Sequence, residues 1–439
     1  VQRLKRMRAA ETSDLNKEGL TMGYTENLID FIGKSTDCYH AVKTAKDRLD
    51  ENGFTELFEG DKWDVQNDGK YYVIRNSSSI IAFEMPKKDF GAFMICASHT
   101  DSPSFKLKPD FEINADGCIK LSVEGYGGMI MSSWLDRPLS ISGRIVTAKD
   151  GKVETKLVNI DRDLLVIPSL AIHMSRDINK GYEFNIRRDM CPIASEKNGR
   201  IEDIIAESVG VDKEKILGFD LSLYNRMRGT VLGTDGEYFS APRIDDLQCM
   251  YSTLEGFLNS ESDDNVTVFA AFDNEEVGSG TKQGAKSSFL RDVLERICNN
   301  SETYKRAVAK SFMLSCDNAH AVHPNFADKS DGTNRVYMNG GIVIKYNANQ
   351  RYTTDAVSEA VVKYVCKNAG VPYQMYANRS DIPGGSTLGN LSNEKVSLNT
   401  ADIGLAQLAM HSSYETAGSR DTEYMVKMIK EFYKTEIVL

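Results

Sequence analysis

The stretch NVTVFAAFDNEEVGSGT, residues Asn265–Thr281, joins a short apolar run to two adjacent glutamates, Glu275 and Glu276. A continuous apolar run of this length is typical of a strand buried on both faces in a parallel sheet. Because neighbours on a strand point to opposite faces, the pair must lie where the strand turns into VGSG. Ligand crevices of α/β sheets form at this end of a strand, so we expect one glutamate to bind a metal and the other to act as a general base. A solvated turn is the alternative.

The rest of the chain predicts an α/β fold around this strand. After Pro242, helical stretches alternate with short apolar runs, which is typical of a largely parallel sheet covered by helices. The first hundred residues begin with helical spacing and continue as strands, whereas residues 105–240 are rich in strands and turns. We therefore predict a three-layer α/β/α domain formed by residues 1–104 and 241–439, interrupted by a β-rich insertion of residues 105–240.

Composition excludes several classes of protein. The chain has 439 residues, a charged fraction of 26% and a net charge of −10, which argues against a nucleic-acid binder or a basic membrane-surface protein. Its longest apolar run, Leu164–Ile172, is shorter than the roughly 18–20 residues of a membrane span. The basic N-terminal residues lack an apolar core, so we expect no secretory signal.

The cysteines also bear on the location and the chemistry. Eight are scattered singly, which is typical of reduced thiols in a cytoplasmic protein. Metal chemistry would therefore depend on histidine and carboxylate ligands.

Histidines and carboxylates follow other apolar runs. His99 ends the run GAFMICASH, and Asp101 lies two residues later, where it could orient the imidazole of a metal-bound histidine. Asp317 closes KSFMLSCD, and His411 closes IGLAQLAMH. Asp245 begins an amphipathic helix, where a capping role explains it equally well.

Charge balance supports a two-metal interpretation of these residues. Asp245, Glu276 and Asp317 would offset three of the four charges of two divalent cations, and a bridging hydroxide would supply the fourth. His320 and His323 have the spacing of one helical turn, and each could be a ligand, a substrate contact or a structural residue.

Seven ordered motifs resemble the aspartyl aminopeptidase/aminopeptidase I family of cocatalytic zinc metallopeptidases over nearly the whole chain. They are SHTDSPSFKLKP, PSLAIHMSRDIN, PRIDDL, FDNEEVGSGTKQGA, SCDNAHAVHPNF, KYNANQRYTT and MHSSYETAG. The resemblance implies a metal-dependent aminopeptidase with two divalent ions per subunit and a bridging water. Zinc is the first expectation for both ions, with manganese and cobalt as alternatives.

The resemblance also implies a role for each matching residue. One metal would be held by His99, Asp317 and the bridging Asp245, and the other by Glu276, His411 and the same Asp245. Glu275 would be the general base, and Asp101 would orient His99. His320 would line the substrate pocket, and Lys345 would meet an acidic side chain of the substrate. His173 would reach the active site of a neighbouring subunit.

Further expectations concern substrate and assembly. The substrates would be peptides with a free N-terminus, and the insertion would make dimers that build a tetrahedral dodecamer, with no nucleic acid or membrane as a partner. Asp or Glu preference through Lys345 and a neutral, Leu-type preference both remain open.

Three other interpretations compete. A carboxypeptidase or deacylase shares the fold and the dinuclear centre. GTKQGAKS, residues Gly280–Ser287, is a near miss to a phosphate-binding loop, because Ala285 replaces its second glycine. A catalytically inactive assembly protein is the third interpretation, and the presence of every expected ligand argues against it.

Overall fold

The structure is a computed structural model that describes residues 23–197, 199–261, 264–298, 300–382, 384–385 and 387–437. The basic N-terminal segment that we examined for a secretory signal lies outside these residues. Among the described residues, no helix is both long and apolar enough to cross a membrane.

The strands, in chain order, are β1 (Thr55–Glu56), β2 (Lys70–Arg75), β3 (Ser79–Glu84), β4 (Phe93–His99), β5 (Ser104–Ala115), β6 (Cys118–Tyr126), β7 (Leu139–Lys149), β8 (Lys152–Asn159), β9 (Ile193–Glu196), β10 (Gly218–Asn225), β11 (Thr230–Leu232), β12 (Tyr238–Ala241), β13 (Val266–Phe272), β14 (Phe312–Cys316), β15 (Ala319–His320), β16 (Ile342–Tyr346), β17 (Tyr373–Ala377), β18 (Asn399–Gly404), β19 (Ala406–Leu408) and β20 (Glu415–Gly418).

The helices are α1 (residues 23–34), α2 (Cys38–Glu51), α3 (Ile186–Asp189), α4 (Ile201–Ser208), α5 (Ile244–Leu258), α6 (Phe289–Ile297), α7 (Ser301–Lys310), α8 (Ala356–Ala369), α9 (Leu388–Ser392) and α10 (Asp421–Lys434).

The largest sheet has nine strands in the order β1-β2-β3-β13-β4-β14-β18-β16-β17. Five of its eight pairings are parallel. Every residue of β4 and β13 is buried, because helices cover both faces of the sheet. The apolar run after Asn265 is therefore a central strand, as predicted.

Two apolar cores on opposite faces of this sheet make the domain three-layered. Alternate side chains of β4 enter each core: Met94 and Cys96 belong to the core that includes side chains of α5, α8 and α10, whereas Phe93 and Ile95 belong to the core that includes side chains of α6 and α7. This arrangement confirms the predicted mixed α/β architecture.

Strands from the middle of the chain form a second sheet. Its order is β8-β7-β10-β5-β6-β9, and all six strands lie between Ser104 and Asn225. Its inner face has its own core, which includes Phe105, Leu139 and Trp134.

A third sheet, in the order β11-β12-β20-β19-β15, was not expected. It joins strands on both sides of residue 240, because β12 pairs with β20 near the C-terminal end of the chain. The division at residue 240 stays a prediction.

Candidate metal centre

The carboxyl ends of neighbouring parallel strands bring the first candidate residues together. His99 is the last residue of β4 and pairs with Phe272, the last residue of β13. Glu275 and Glu276 follow β13 in a short 3-10 turn, and Asp317 follows β14 on the other side of β4. The sheet therefore places all four residues at one edge.

Asp245 lies between two histidines at the start of α5. Its Oδ1 is 3.4 Å from His99 Nε2, and its Oδ2 is 3.5 Å from His411 Nε2. The backbone of Asp245 is not helical, and its peptide bond to Asp246 is cis. Because each of its two oxygens faces a different histidine, the same carboxylate can face two cation sites at once.

Glu276 and His411 lie together beside Asp245, whose Oδ2 is the oxygen that faces His411. His411 Nε2 is 3.4 Å from Glu276 Oε2, and its Nδ1 donates to the carbonyl oxygen of Gly128. In the neutral imidazole, that bond leaves Nε2 free of its proton and facing the two carboxylates.

Among the residues that the structure describes, three groups of side chains have ligand atoms within 4.8 Å of one another. One contains His99, Asp245, Asp246 and Asp317, another contains Asp245, Glu276 and His411, and a third contains His99, Glu275 and Glu276. The first two groups share Asp245 and include all five predicted ligands.

Buried oxygens without donors show that these residues fit a metal. Asp245 Oδ1, Asp246 Oδ1 and Glu276 Oε1 are buried and accept no hydrogen bond in the described part of the chain. Buried carboxylates are costly without a partner, and divalent cations are suitable partners for oxygen and imidazole ligands.

Electrostatics agree with this fit. Burial and then the neighbouring carboxylates raise the pKa of Glu275 to about 8, and burial with Asp245 raises the pKa of Glu276 well above its usual range. Burial opposes the charge of His411, but Asp245 raises the pKa of that imidazole to about 9. The cluster thus attracts positive charge, which protons supply when no metal does.

Asp101 holds both the imidazole and the glutamate turn. His99 Nδ1 lies 3.0 Å from the main-chain oxygen of Asp101 and 3.5 Å from its Oδ1. The Asp101 carboxylate accepts the main-chain N–H groups of Glu275 and Glu276, at 3.1 and 3.2 Å, and the hydroxyl of Tyr126 at 2.6 Å. Asp101 therefore positions Glu275 and Glu276 in addition to His99, whereas its place in the sequence predicted only the contact with His99.

Lys345 is buried and already has two partners. Its Nζ donates to the main-chain oxygen of Asn318 at 2.8 Å and lies 3.4 Å from Asp317 Oδ2. Only 2% of the residue is exposed.

The remaining histidines lie in different surroundings. His320 ends β15 in extended backbone, so it does not share a helical turn with His323 as the spacing had indicated. His320 lines a cleft together with Asn378, Gln407 and Met410. His173 is exposed on a segment of the chain between β8 and β9.

Five residues near the predicted metal ligands were missed by sequence reasoning: Tyr126, Gly127, Gly128, Asp246 and Glu415. Asp246 Oδ2 accepts the main-chain N–H of His99 at 3.0 Å, and the doubled aspartate of PRIDDL was its only signal. The glycines follow β6 in the sequence YGGM, where a close approach to other backbone is the usual meaning of paired glycines.

A family model described as aminopeptidase I zinc metalloprotease (M18) matches residues 31–433 of the chain. The chain belongs to the M18 aminopeptidase family. The resemblance in the seven motifs is thereby confirmed, and the chain is a peptide hydrolase of the aminopeptidase type.

Relatives and solved structures agree with this M18 assignment. A probable M18 family aminopeptidase 2 of Clostridium acetobutylicum is 45% identical over 93% of this chain and 98% of its own. A cryo-EM structure of the Ape4 and Nbr1 complex superposes with a TM-score of 0.92 at 34% identity, covering 95% of this chain and 86% of its own. A structure of the S. cerevesiae mApe1 dodecamer has a TM-score of 0.81 at 28% identity, covering 95% and 97%.

Proposed function

We propose that this M18 aminopeptidase releases the N-terminal residue of peptides at a dinuclear metal centre. The observation that carries the proposal is the pair of ligand groups that share Asp245. His99, Asp245 and Asp317 would hold one ion, and Asp245, Glu276 and His411 would hold the other.

Zinc is the metal we propose, because the family model describes zinc metalloproteases. The imidazole and carboxylate donors suit zinc and also accept manganese or cobalt. When bound, two such ions would lower the pKa of a water between them and polarise the scissile carbonyl.

Glu275 is the proposed general base. It belongs to a ligand group with His99 and Glu276 but is not needed to complete either of the two metal sites. Asp101 fixes its main chain, and its carboxylate would take a proton from the attacking water and return it to the leaving amine.

The variant Glu275→Gln tests this role. We expect turnover to fall roughly 100- to 10,000-fold, because the amide cannot accept the proton. Zinc content by elemental analysis and the melting temperature should stay close to those of the native protein. Near-normal turnover with full zinc content would contradict the assignment.

Lys345 is the residue on which two candidate preferences for the N-terminal residue differ. A buried ammonium facing the substrate would favour Asp or Glu through a charge-assisted bond. Its contacts with Asp317 and Asn318 support a second candidate, in which Lys345 is structural and the enzyme prefers neutral, Leu-type residues.

Chromogenic substrates with N-terminal Asp, Glu or Leu separate these candidates. We expect zinc-loaded enzyme to cleave at least one of them and to refuse the same substrate with a blocked amine. Acidic preference that disappears in Lys345→Met would assign selectivity to this lysine, whereas Leu preference would assign it a structural role. Cleavage of the blocked substrates would instead favour a deacylase.

The proposed assembly uses the β-rich segment. We propose that residues 105–240 form a dimerisation domain, that dimers build a tetrahedral dodecamer, and that His173 enters the active site of a neighbour. Exposed apolar side chains beside His173 support this: Leu170 is 53% exposed, Ile172 47% and Met174 77%. A cytoplasmic location is supported by eight cysteines that are all free thiols.

A further inference from the structure

Glu415 is a buried carboxylate that does not belong to any of the ligand groups found among the described residues. It begins β20, and only 2% of it is exposed. Its Oε2 accepts the main-chain N–H of Asp245 at 3.0 Å, and its Oε1 accepts the main-chain N–H of His411 at 2.7 Å. One side chain therefore holds the backbone of two proposed metal ligands that come from distant parts of the sequence.

The two ligands have different backbone conformations. His411 has a φ of 66°, in the left-handed region that non-glycine residues rarely adopt, whereas Asp245 has ordinary extended angles that differ from those of the rest of α5. A non-glycine residue in the left-handed region persists where surrounding contacts hold it, and the hydrogen bond from the main-chain N–H of His411 to Glu415 is such a contact.

A buried hydrogen-bond chain extends from Glu415 to the other side of the centre. Gln407 Nε2 donates to Glu415 Oε1 at 3.1 Å, and Gln407 Oε1 accepts from the side-chain amide of Asn318. Asn318 follows the proposed ligand Asp317 directly, and its main-chain oxygen accepts from Lys345. This series of hydrogen bonds thus connects residues beside one proposed metal site with residues beside the other.

We infer that Glu415 is a positioning residue that fixes the mutual geometry of Asp245 and His411 and so sets the affinity of the centre for metal. The inference rests on the proposed function, because it takes these two residues as ligands. Outer partners of metal ligands are commonly worth about 10- to 100-fold in metal affinity.

Glu415→Gln tests this inference, and Asp421→Asn provides a matched control. Asp421 is another fully buried carboxylate that accepts two main-chain N–H groups, from Asn339 at 2.6 Å and Gly341 at 2.9 Å, but neither residue belongs to the ligand groups. Each substitution replaces one carboxylate oxygen, which accepts a main-chain N–H, by an amide NH₂ group, which can only donate.

The measurement is competition for zinc against a chromogenic chelator, with binding stoichiometry and melting temperature recorded for each variant. We expect Glu415→Gln to weaken zinc binding about 10- to 100-fold and Asp421→Asn to change it less than about twofold. Gln407→Leu, which keeps the carboxylate and removes one donor to it, should weaken zinc binding by a smaller factor. It tests the inference if Glu415→Gln does not fold.

The outcomes separate the inference from the function on which it rests. Native protein that fails to bind two zinc ions per subunit would contradict the dinuclear centre itself. Normal zinc affinity in folded Glu415→Gln, or equal losses in Glu415→Gln and Asp421→Asn, would overturn the positioning role and leave the centre in place.

Discussion

At the scale of single residues, two glycines that follow a strand of the second sheet contact residues of the candidate metal centre. Gly127 has a φ of 71°, and a Cβ built on it would lie 3.1 Å from Glu276 Cβ and 3.4 Å from Glu276 Oε2. Gly128 accepts from His411 Nδ1. A side chain at position 127 would therefore press on a proposed ligand.

Gly127→Ala should weaken zinc binding and lower activity, because the added methyl displaces Glu276. Gly151→Ala is the matched control, since Gly151 has a φ of 76° and nothing within 4 Å of its built Cβ. Both variants carry the left-handed penalty of about 1–2 kcal/mol. Chelator competition should show a loss of zinc affinity for Gly127→Ala alone, and equal affinities would contradict the proposed contact.

At the scale of elements, Asp421 ties α10 to the turn that precedes β16. It is the first residue of α10, and its carboxylate accepts from Asn339 and Gly341 in that turn. Burial raises its pKa to about 7, although the two N–H groups oppose the rise. The folded protein therefore binds this proton more tightly than the unfolded chain does.

The stability that this proton provides should be present below about pH 4 and disappear as the pH rises through about 7. From pH 5 to pH 8 the native protein should lose up to about 3 kcal/mol of unfolding free energy relative to Asp421→Asn, which has no proton to lose here. Urea unfolding of both proteins at the two pH values measures the difference. A difference that does not change with pH would show that this carboxyl does not titrate in that range.

At the scale of the whole molecule, three sheets meet at the candidate metal centre. His99 comes from the nine-stranded sheet, Gly128 follows a strand of the six-stranded sheet, and Glu415 begins a strand of the five-stranded sheet. In the proposed assembly, His173 of a neighbouring subunit would also lie at this site.

Co-expression of His173→Ala with Glu275→Gln tests the exchange between subunits. Each variant alone should be nearly inactive. In a reciprocal dimer, one site of each mixed pair would combine an intact Glu275 with an intact His173, so random pairing should restore about a quarter of native activity. Activity no greater than the sum of the two variants would place His173 in its own subunit's site or outside catalysis.

The sequence by itself determined the central strands and the residues at their ends. Continuous apolar runs indicate strands buried on both faces, and parallel strands finish at one edge, so His99, Glu275, Glu276 and Asp317 could be grouped without coordinates. The seven motifs then predicted the family, which the family model confirmed.

Only the tertiary structure decided which groups support that edge. The hydrogen bonds that support it join residues far apart in the sequence. Asp246 and His99 are separated by 147 residues, and Glu415 and Asp245 by 170. Gly128 and His411 are separated by 283 residues. Periodicity and local propensity carry no information over such separations, because these contacts depend on how whole sheets and helices pack. The five-stranded sheet and the extended backbone at His320 escaped prediction for the same reason: short strands acquire their partners only when distant segments come together.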